Sequence, residues 1–311
     1  MKRATTGDRK PAGNTASTQR TGTIIAAHGR NYVVDVGDDE PVHAVTRGKR
    51  GEVCVRDRVR IALLGGGQGV IEAVEDRRFI LMRSDRFRRK LLAANVDQAA
   101  IVVAPEPRFD ESLLLRVLIA CVAAGIEPVV IATKADLADP SGYFDNRMEA
   151  LAHVGHGVVR ISVQTAPAAA IEVLRPTLEQ RCTVLLGRSG MGKSSLVNLL
   201  VPGADQQTRA ISSALAAGRH TTTFARLFRV PEEIAPGTSL IDTPGFQSFG
   251  LAHLSASERV HAMPDFRPHI GRCRFHNCTH RNEPGCAIRR AAESNDIDPI
   301  RYRLFNGVGE D

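Results

Sequence analysis

Residues 187–194 place the tightest constraint on the fold, because they follow the pattern Gly-x4-Gly-Lys-Ser. An apolar run at 182–186 precedes this segment and is typical of a buried parallel strand, and a helical pattern follows from Ser195. Glycines in such a loop let the backbone curl, so that successive N–H groups and the positive end of the helix face a phosphate. The segment therefore predicts a phosphate-binding loop in an α/β fold with a nucleoside triphosphate as ligand. An ordinary glycine-rich turn is the alternative.

Each residue of this loop has an expected contact with the nucleotide. Lys193 would reach the terminal phosphates, and the Ser194 hydroxyl would bind Mg²⁺. The predicted nucleotide-binding residues of the loop are Gly187, Arg188, Ser189, Gly190, Met191, Gly192, Lys193, Ser194 and Ser195.

A second loop, residues 133–136, predicts which base is bound. Its sequence, Thr-Lys-Ala-Asp, follows a buried-strand pattern at 128–132 and is close to the Asn-Lys-x-Asp pattern of GTPases. The Asp136 carboxylate can accept two hydrogen bonds from the N1–H and the exocyclic amine of guanine, whereas adenine would leave it unpaired. Guanine is therefore predicted, with Thr133, Lys134 and Asp136 as its contacts.

Two features of this base site depart from the usual GTPase pattern. Thr133 stands where asparagine is usual, and one hydroxyl cannot make both contacts of an amide, so a weaker guanine affinity is expected. Ser162 follows a strand pattern at 158–161 and is predicted to support the guanine, although Val163 stands where alanine is usual.

A third loop predicts a site for the metal ion of the nucleotide. Residues 242–245, Asp-Thr-Pro-Gly, follow the apolar strand pattern at 239–241. The Asp242 carboxylate can hold Mg²⁺ through water, and the Gly245 N–H can bond a γ-phosphate.

Catalysis needs a further residue, because Phe246 follows this loop where many GTPases carry a glutamine that orients the attacking water. Residues 219–223 are the predicted first switch. Within it, Thr222 is the expected contact to Mg²⁺ and the γ-phosphate, and His220 is expected to orient the water. The Gly- and Ala-rich approach at 214–218 predicts a mobile loop and a slow intrinsic turnover.

The three loops follow one another as base reader, phosphate loop and switch aspartate, whereas ordinary GTPases carry the phosphate loop first. A circular permutation explains this order, since it leaves the sheet and the site intact when the original chain ends lie close together at the surface. The switch then ends the domain and joins directly to the segment that follows.

Short alternating segments between residues 21 and 76 predict a small closed β-barrel of the OB type, a common nucleic-acid-binding scaffold. A small β domain with a purely structural role is the alternative. The predicted strands are 22–25, 32–36, 53–55, 59–64 and 70–74.

Near the carboxyl end the spacing C-x4-C-x-H-x5-C predicts one tetrahedral zinc ion. Its ligands would be Cys273, Cys278, His280 and Cys286. His269 and His276 are competing ligand candidates, and free surface thiols are the alternative. A short helical tail is expected from Ile288 to Phe305.

The net charge of +7 is concentrated in three stretches. Residues 1–20 carry +4, residues 76–90 carry +5 and residues 264–290 carry +4, which predicts a surface that binds a polyanion. Solvated tails and linkers are the alternative. The stretch 1–20 has no apolar core like that of a signal peptide, and no later run approaches the eighteen or so apolar residues of a membrane span, so a soluble cytoplasmic protein is expected.

These motifs together resemble the ribosome-small-subunit-dependent GTPase A family of bacteria. The resemblance is carried by the permuted loop order and by the runs at 218–223, 242–246 and 273–286. It covers nearly the whole chain after residue 20.

The resemblance implies an α/β fold in which a circularly permuted phosphate-loop GTPase domain carries an N-terminal OB-type β-barrel and a C-terminal zinc-binding domain. The expected parts are a disordered basic tail (1–20), the OB-fold domain (21–76), a basic linker (77–92), the GTPase domain (93–254) and a zinc-binding helical domain (255–311).

The resemblance also implies an activity and partners. GTP hydrolysis would be stimulated by the small ribosomal subunit during its late maturation, and release would be coupled to hydrolysis. The expected partners are that subunit and its rRNA, and the expected ligands are GTP or GDP, Mg²⁺ and one Zn²⁺ per chain. A monomer that does not bind membranes is expected.

Two functions of other classes remain open from the sequence. An ATPase or small-molecule kinase would explain the phosphate loop but neither Asp136 nor the zinc segment. An RNA-binding zinc protein with a regulatory nucleotide site and little catalysis would explain the charge and the zinc, but it would not need Lys193, Ser194 and Asp242 together. In that case His220 would only contact rRNA.

Overall fold

The computed structural model describes residues 19–47, 53–85, 87–107, 109–206 and 224–308. The strands of this part of the chain form an 11-stranded sheet and a separate two-stranded sheet.

The bounds of the elements are as follows. The strands are β1 (Gln19–His28), β2 (Asn31–Asp35), β3 (Val42–Thr46), β4 (Arg58–Gly65), β5 (Gln68–Val74), β6 (Ile80–Ser84), β7 (Arg89–Ala94), β8 (Gln98–Val103), β9 (Glu127–Ala132), β10 (Gly157–Arg160), β11 (Cys182–Leu186), β12 (Ala225–Arg229) and β13 (Ser239–Asp242). The helices are α1 (Glu111–Ala123), α2 (Tyr143–His153), α3 (Pro167–Leu178), α4 (Lys193–Leu200), α5 (Ala256–His261), α6 (Ala287–Glu293) and α7 (Pro299–Asn306), with a 3-10 turn at Arg267–His269.

A parallel sheet forms the body of the molecule, in the order β10-β9-β8-β11-β13. Every residue of the central strand β8 is buried, as expected for a parallel strand that is covered on both faces. Helix α1 begins at the Asp110 cap, whose side chain accepts from the Leu113 N–H, and the left-handed Gly125 follows its end. The predicted alternation of strands and helices is confirmed here.

Five strands close into an amino-terminal barrel in the order β1-β2-β3-β5-β4, with β4 pairing back to β1. All pairs are antiparallel except β3 with β5. The barrel core consists of alternating apolar residues, among them Ile24, Val34, Val59, Ile61 and Ile71.

One of the five predicted barrel strands is wrong. The third strand is Val42–Thr46, whereas residues 53–55 lead into a turn. The buried Asp57 carboxylate explains the turn, because it accepts from the Cys54 N–H at 2.8 Å and from the Arg77 guanidinium at 2.7 and 2.8 Å. This local capping outweighs the β propensity of the apolar run.

Strand β12 joins the barrel to the parallel body. It pairs antiparallel with β13 on one side and with β1 on the other, through Ala26 with Arg226 and Ala27 with Ala225. An ion pair between Arg229 and Asp35, at 2.7 Å, supports this edge. The barrel and the body therefore share one hydrogen-bonded sheet.

The segment 77–92, predicted as a linker, contains most of an antiparallel hairpin formed by β6 and β7. Its first strand is fixed to the body, since the Ser84 N–H donates to the Gly250 carbonyl at 3.0 Å. A Cβ on Gly250 would lie 2.2 Å from the Ser84 carbonyl oxygen, so this close approach requires glycine.

The carboxyl-terminal segment is held on α1 and α2. Arg147 on α2 forms ion pairs at 2.6 Å with Glu111 and with Asp298, which caps α7. The predicted single helical tail is instead two helices, α6 and α7, and Arg301 on α7 bonds the buried Asp265 at 3.0 Å. Among the described residues no helix has both the length and the hydropathy that a bilayer crossing requires.

Candidate functional site

Three loops meet at the carboxyl edge of the parallel sheet. The phosphate loop follows β11, the base-reading loop follows β9 and the Asp-x-x-Gly loop follows β13. Ligands of open parallel sheets bind at this edge, so the three predicted motifs lie where one nucleotide can contact all of them.

The phosphate loop has the backbone that its glycines predict. Gly187, Gly190 and Gly192 have φ values of 142°, 84° and 94°. A Cβ on Gly187 would lie 2.5 Å from the Val102 carbonyl oxygen, so this position also requires glycine for space. The loop then enters α4, whose first turn carries Lys193, with the exposed Ser194 and Ser195 after it.

Lys193 is buried, and its ammonium group points into the loop. Nζ donates to the carbonyls of Gly187 at 2.8 Å and Arg188 at 2.9 Å. Burial lowers the pKa of Lys193, and the neighbouring Asp242 carboxylate acts in the opposite direction. A phosphate in this loop would supply the negative charge that the buried cation lacks.

The Asp-x-x-Gly loop lies directly against the phosphate loop. A Cβ on Gly245 would lie 2.8 Å from the Ser189 backbone nitrogen, and the Thr243 hydroxyl donates to the Leu185 carbonyl at 2.6 Å. Asp242 is 8% exposed. Burial raises the pKa of Asp242 to about 6, while Lys193 lowers it. The Asp242 carboxylate and the exposed Ser194 hydroxyl are oxygen donors of the kind that suits a hard cation such as Mg²⁺.

Thr133 connects the base-reading loop to the phosphate loop. Its buried hydroxyl lies 2.6 Å from the Met191 carbonyl and 3.1 Å from the Val103 carbonyl, and both oxygens are acceptors. The next residue, Lys134, has a φ of 56° and donates from Nζ to the Glu106 carbonyl at 2.8 Å.

Asp136 is held by a serine and a threonine on the neighbouring loop. The Ser162 hydroxyl donates to the Asp136 carboxylate. Thr165 in turn donates to the Ser162 oxygen, from its hydroxyl at 2.7 Å and from its N–H at 3.3 Å. This chain of hydrogen bonds leaves the exposed part of the Asp136 carboxylate available to a base.

A cavity of about 200 Å³ lies between these side chains. It is lined by Thr133, Lys134, Asp136, Leu137, Val163, Gln164, Gly192 and Ser195.

Phe246 is buried and cannot contact an attacking water. Its ring is 5% exposed and packs edge-on against Phe249, with the ring centres 5.3 Å apart. The predicted catalytic residues His220 and Thr222, and the approach at 214–218, lie outside the described residues.

The four predicted zinc ligands converge in the carboxyl-terminal segment. Their donor atoms all lie within 4.8 Å of one another. His280 Nδ1 is 3.5 Å from Cys273 Sγ and 3.6 Å from Cys286 Sγ. Zn–S and Zn–N bonds of about 2.3 and 2.1 Å at the tetrahedral angle would separate sulfur from nitrogen by about 3.6 Å. The fourth member is Cys278, and the described His269 and His276 are not part of this group.

Backbone N–H groups face two of these sulfurs, as expected for thiolate ligands. The Ala287 N–H donates to Cys273 Sγ and the Arg289 N–H to Cys286 Sγ, both at 3.4 Å. The Tyr302 hydroxyl donates to the His280 carbonyl at 2.7 Å, which ties the cluster to α7.

Sequence reasoning missed the residues that position the predicted ones. Thr165 behind Ser162, Glu106 under Lys134 and Leu185 behind Thr243 contribute through contacts across loops. No motif marks them. Glu106 and Leu185 contribute only a backbone carbonyl, which any residue carries, and Thr165 lies outside the three loop motifs.

Comparison with known proteins gives a consistent result. Residues 74–252 match the family model of the RsgA GTPase. The small ribosomal subunit biogenesis GTPase RsgA of Ralstonia pickettii (strain 12J) is 46% identical over 290 residues, which are 93% of this chain and 92% of that protein. The protein of the same name from Bordetella pertussis (strain Tohama I) is 48% identical over 290 residues, 93% of this chain and 95% of that protein.

Two solved structures share the fold along almost the whole chain. The circularly permuted GTPase YloQ has a TM-score of 0.65 at 26% identity, covering 95% of this chain and 96% of its own. YjeQ from Thermotoga maritima has a TM-score of 0.69 at 26% identity, covering 93% and 97%.

Proposed function

The chain belongs to the RsgA GTPase family, and on that premise we propose that this GTP hydrolase binds the small ribosomal subunit and hydrolyses GTP in the late maturation of that subunit. Its relatives are named as GTPases of small-subunit biogenesis, and they match it over nearly their full length. The observation that carries the proposal is the meeting of the loops of Asp136, Lys193 and Asp242 at one edge of the sheet.

In this proposal each loop binds a different part of the nucleotide. Asp136 accepts from the guanine edge, with Ser162 holding the carboxylate in place. The phosphates lie along the N–H groups of 187–195 and contact Lys193. Ser194, Asp242 and Thr222 would hold Mg²⁺, which when bound would neutralise charge on the phosphates.

Hydrolysis requires a residue that orients the attacking water, and Phe246 cannot do so because its ring is buried. We assign this role to His220, with the Gly245 N–H directed at the γ-phosphate. The first switch also contributes Thr222. Docking on the subunit would act through this switch and so raise the turnover.

The barrel and the zinc segment are the proposed rRNA-binding surfaces. The segment 264–290 carries a net charge of +4, and a groove of about 950 Å³ beside the cluster is lined by Arg259, Arg274, His276 and Arg281, among others. One Zn²⁺ held by the cluster would keep this basic surface folded. The protein is proposed to act in the cytoplasm as a monomer, with no membrane contact.

The decisive experiment is GTP turnover titrated with purified small ribosomal subunits. Turnover that rises and saturates with subunit concentration supports the proposal. A flat titration together with tight subunit binding would favour an RNA-binding zinc protein with a regulatory nucleotide site. Equal affinities for GDP and ADP would favour an ATPase or a kinase.

A further inference from the structure

The tip of the hairpin formed by β6 and β7 exposes an aromatic ring among cations. The Phe87 side chain is 91% exposed, far more than the other described aromatic residues with large exposure, of which Phe275 at 41% is the next. Arg88, Arg89 and Lys90 follow it directly and are also exposed.

The turn that carries Phe87 is ordered by its own hydrogen bonds. One Asp85 carboxylate oxygen accepts from the N–H groups of Phe87 and Arg88, both at 2.8 Å. These two hydrogen bonds lower the pKa of the Asp85 carboxyl, so the carboxylate stays charged and keeps its bonds to the turn backbone. The hydrogen-bonded turn therefore holds the backbone of Phe87 in the conformation that exposes its ring.

The end of β6 that adjoins the turn is fixed to the body, since Ser84 forms the last strand pair before the turn, with Arg89. The Ser84 hydroxyl accepts from the His253 N–H at 2.8 Å, and Arg83 donates to the Ser248 carbonyl at 2.8 Å. Leu81 is completely buried. The turn that carries the ring is thus held on the body, and on the strand before it the Arg83 guanidinium lies 5.8 Å from the centre of the Phe246 ring.

An exposed ring flanked by guanidinium groups fits one class of partner best. Residues 76–90 contain seven Lys and Arg against two Asp, so an apolar protein surface would have to desolvate these charges. RNA offers both a flat base for the ring and phosphates for the cations, and base stacking on an aromatic residue contributes about 1–3 kcal/mol.

We propose that Phe87 stacks on an unpaired base of ribosomal RNA, with the neighbouring phosphates bound by Arg88 and Arg89. The identity of the RNA rests on the proposed function. The stacking goes beyond the proposed function, since contact with RNA phosphates alone does not require an aromatic residue.

A fluorescence experiment tests the stacking directly, because the chain contains no tryptophan. Phe87→Trp places a single indole at the tip, and stacking on a base quenches its emission. We expect a loss of about half or more on adding a single-stranded RNA oligonucleotide, which has no tryptophan emission of its own. Val173→Trp, at a 48% exposed position on α3, is the matched control that corrects for absorption and scattering and should keep its emission.

Affinity measurements separate a stacked ring from a merely apolar one. Phe87→Ala should weaken binding to small subunits roughly 5- to 150-fold, the range that corresponds to the stacking energy. Phe87→Leu should behave like Phe87→Ala, whereas Phe87→Tyr should bind like the parent. Equal unfolding midpoints of the variants confirm that the fold is intact.

Three outcomes would overturn the proposal. One is parental affinity in Phe87→Leu, and another is binding of Phe87→Trp to the RNA oligonucleotide without quenching. The third is a blue shift of Phe87→Trp with anionic phospholipid vesicles but no response to RNA, which would assign the tip to a membrane. If the parent does not bind subunits, the proposed function fails, but the oligonucleotide titration still decides whether the ring stacks.

Discussion

At the scale of single residues, the base site depends on one threonine hydroxyl. Thr133 has a single proton to donate, and the Met191 carbonyl at 2.6 Å is closer than the Val103 carbonyl at 3.1 Å. The hydroxyl therefore ties the base-reading loop to the phosphate loop. The weaker guanine affinity expected from the missing asparagine remains a prediction.

Removing this hydroxyl should weaken nucleotide binding, because the two loops lose the hydrogen bond that joins them. Thr133→Val should weaken GDP binding about 5- to 10-fold, because a buried acceptor loses its donor at a cost of about 1–1.5 kcal/mol. Thr133→Ser keeps the hydroxyl and should stay within about 2-fold of the parent. Calorimetric titration with GDP measures both, and a valine variant that binds like the parent would contradict this role.

Base selectivity should depend on the carboxylate of Asp136. Asp136→Asn should reduce the preference for GDP over ADP by about 2–4 kcal/mol, because the amide can present a donor to the guanine donors. Competition binding with GDP, ADP and xanthosine diphosphate checks this, since the 2-oxo group of xanthine can accept from the new amide. An unchanged GDP affinity would exclude Asp136 as the base reader.

Stimulated turnover should depend on the imidazole of His220. His220→Ala should lower the subunit-stimulated rate by roughly a hundredfold or more, with GTP and subunit affinities nearly unchanged. Single-turnover rates at saturating subunit concentration measure this. If subunit binding is lost while the rate per bound complex stays normal, His220 is a docking residue.

At the scale of elements, the metal cluster and helix α6 depend on each other. Cys286 belongs to the cluster, and its sulfur also accepts from the Arg289 N–H, where Cys286 caps α6. Helices α6 and α7 each have fewer than nine residues, so they depend on packing and on the cluster for their stability.

Loss of one ligand should therefore release zinc and loosen this segment. Cys286→Ser should lower the bound zinc from about one to near zero per chain and increase proteolysis after residue 264, whereas GDP binding at the sheet edge should persist. His276→Ala, an exposed histidine of the same loop outside the cluster, should keep its zinc. Elemental analysis of both variants measures the bound zinc. If His276→Ala loses its zinc and Cys286→Ser keeps it, the predicted ligand set is wrong.

At the scale of the whole molecule, buried polar contacts connect the three parts. The barrel shares its sheet with the body through β1 and β12, and the carboxyl-terminal segment is held by Arg147. Between the body and this segment lies His156, which is buried near the Arg301–Asp265 ion pair.

Acid should weaken this junction. Burial and, to a smaller extent, Arg301 lower the pKa of His156 to about 4, while Asp265 acts in the opposite direction. The unfolded chain takes up this proton below about pH 6.5 and the folded chain only near pH 4, so stability is lost as pH falls through this window. Between pH 7 and pH 5 the loss from this group is about 2 kcal/mol.

A variant without the imidazole isolates this contribution. His156→Leu should show a smaller loss of unfolding free energy between pH 7 and pH 5 than the parent, by about 2 kcal/mol. Urea unfolding at both pH values measures the difference. Parallel pH profiles of parent and variant would show that His156 does not control the acid sensitivity.

The sequence by itself determined the parallel body and its three loops. Glycine is required at Gly187 by its φ and by the nearby Val102 carbonyl, and a run such as Cys182–Leu186 is apolar because the strand is covered on both faces. Such constraints are local, so they are visible as motifs. The Cys and His spacing also predicted the four residues of the metal cluster, because ligands within fourteen residues of one another can meet through short loops.

Only the tertiary structure decided how the parts are joined. The choice of Val42–Thr46 as third barrel strand depends on the Asp57–Arg77 contact, and the pairing of β1 with β12 joins residues about two hundred positions apart. The hairpin at 77–92 is ordered because Ser84 meets Gly250. Backbone pairing leaves no residue pattern of its own, since any strand edge offers the same N–H and C=O groups and only three-dimensional packing selects the partner.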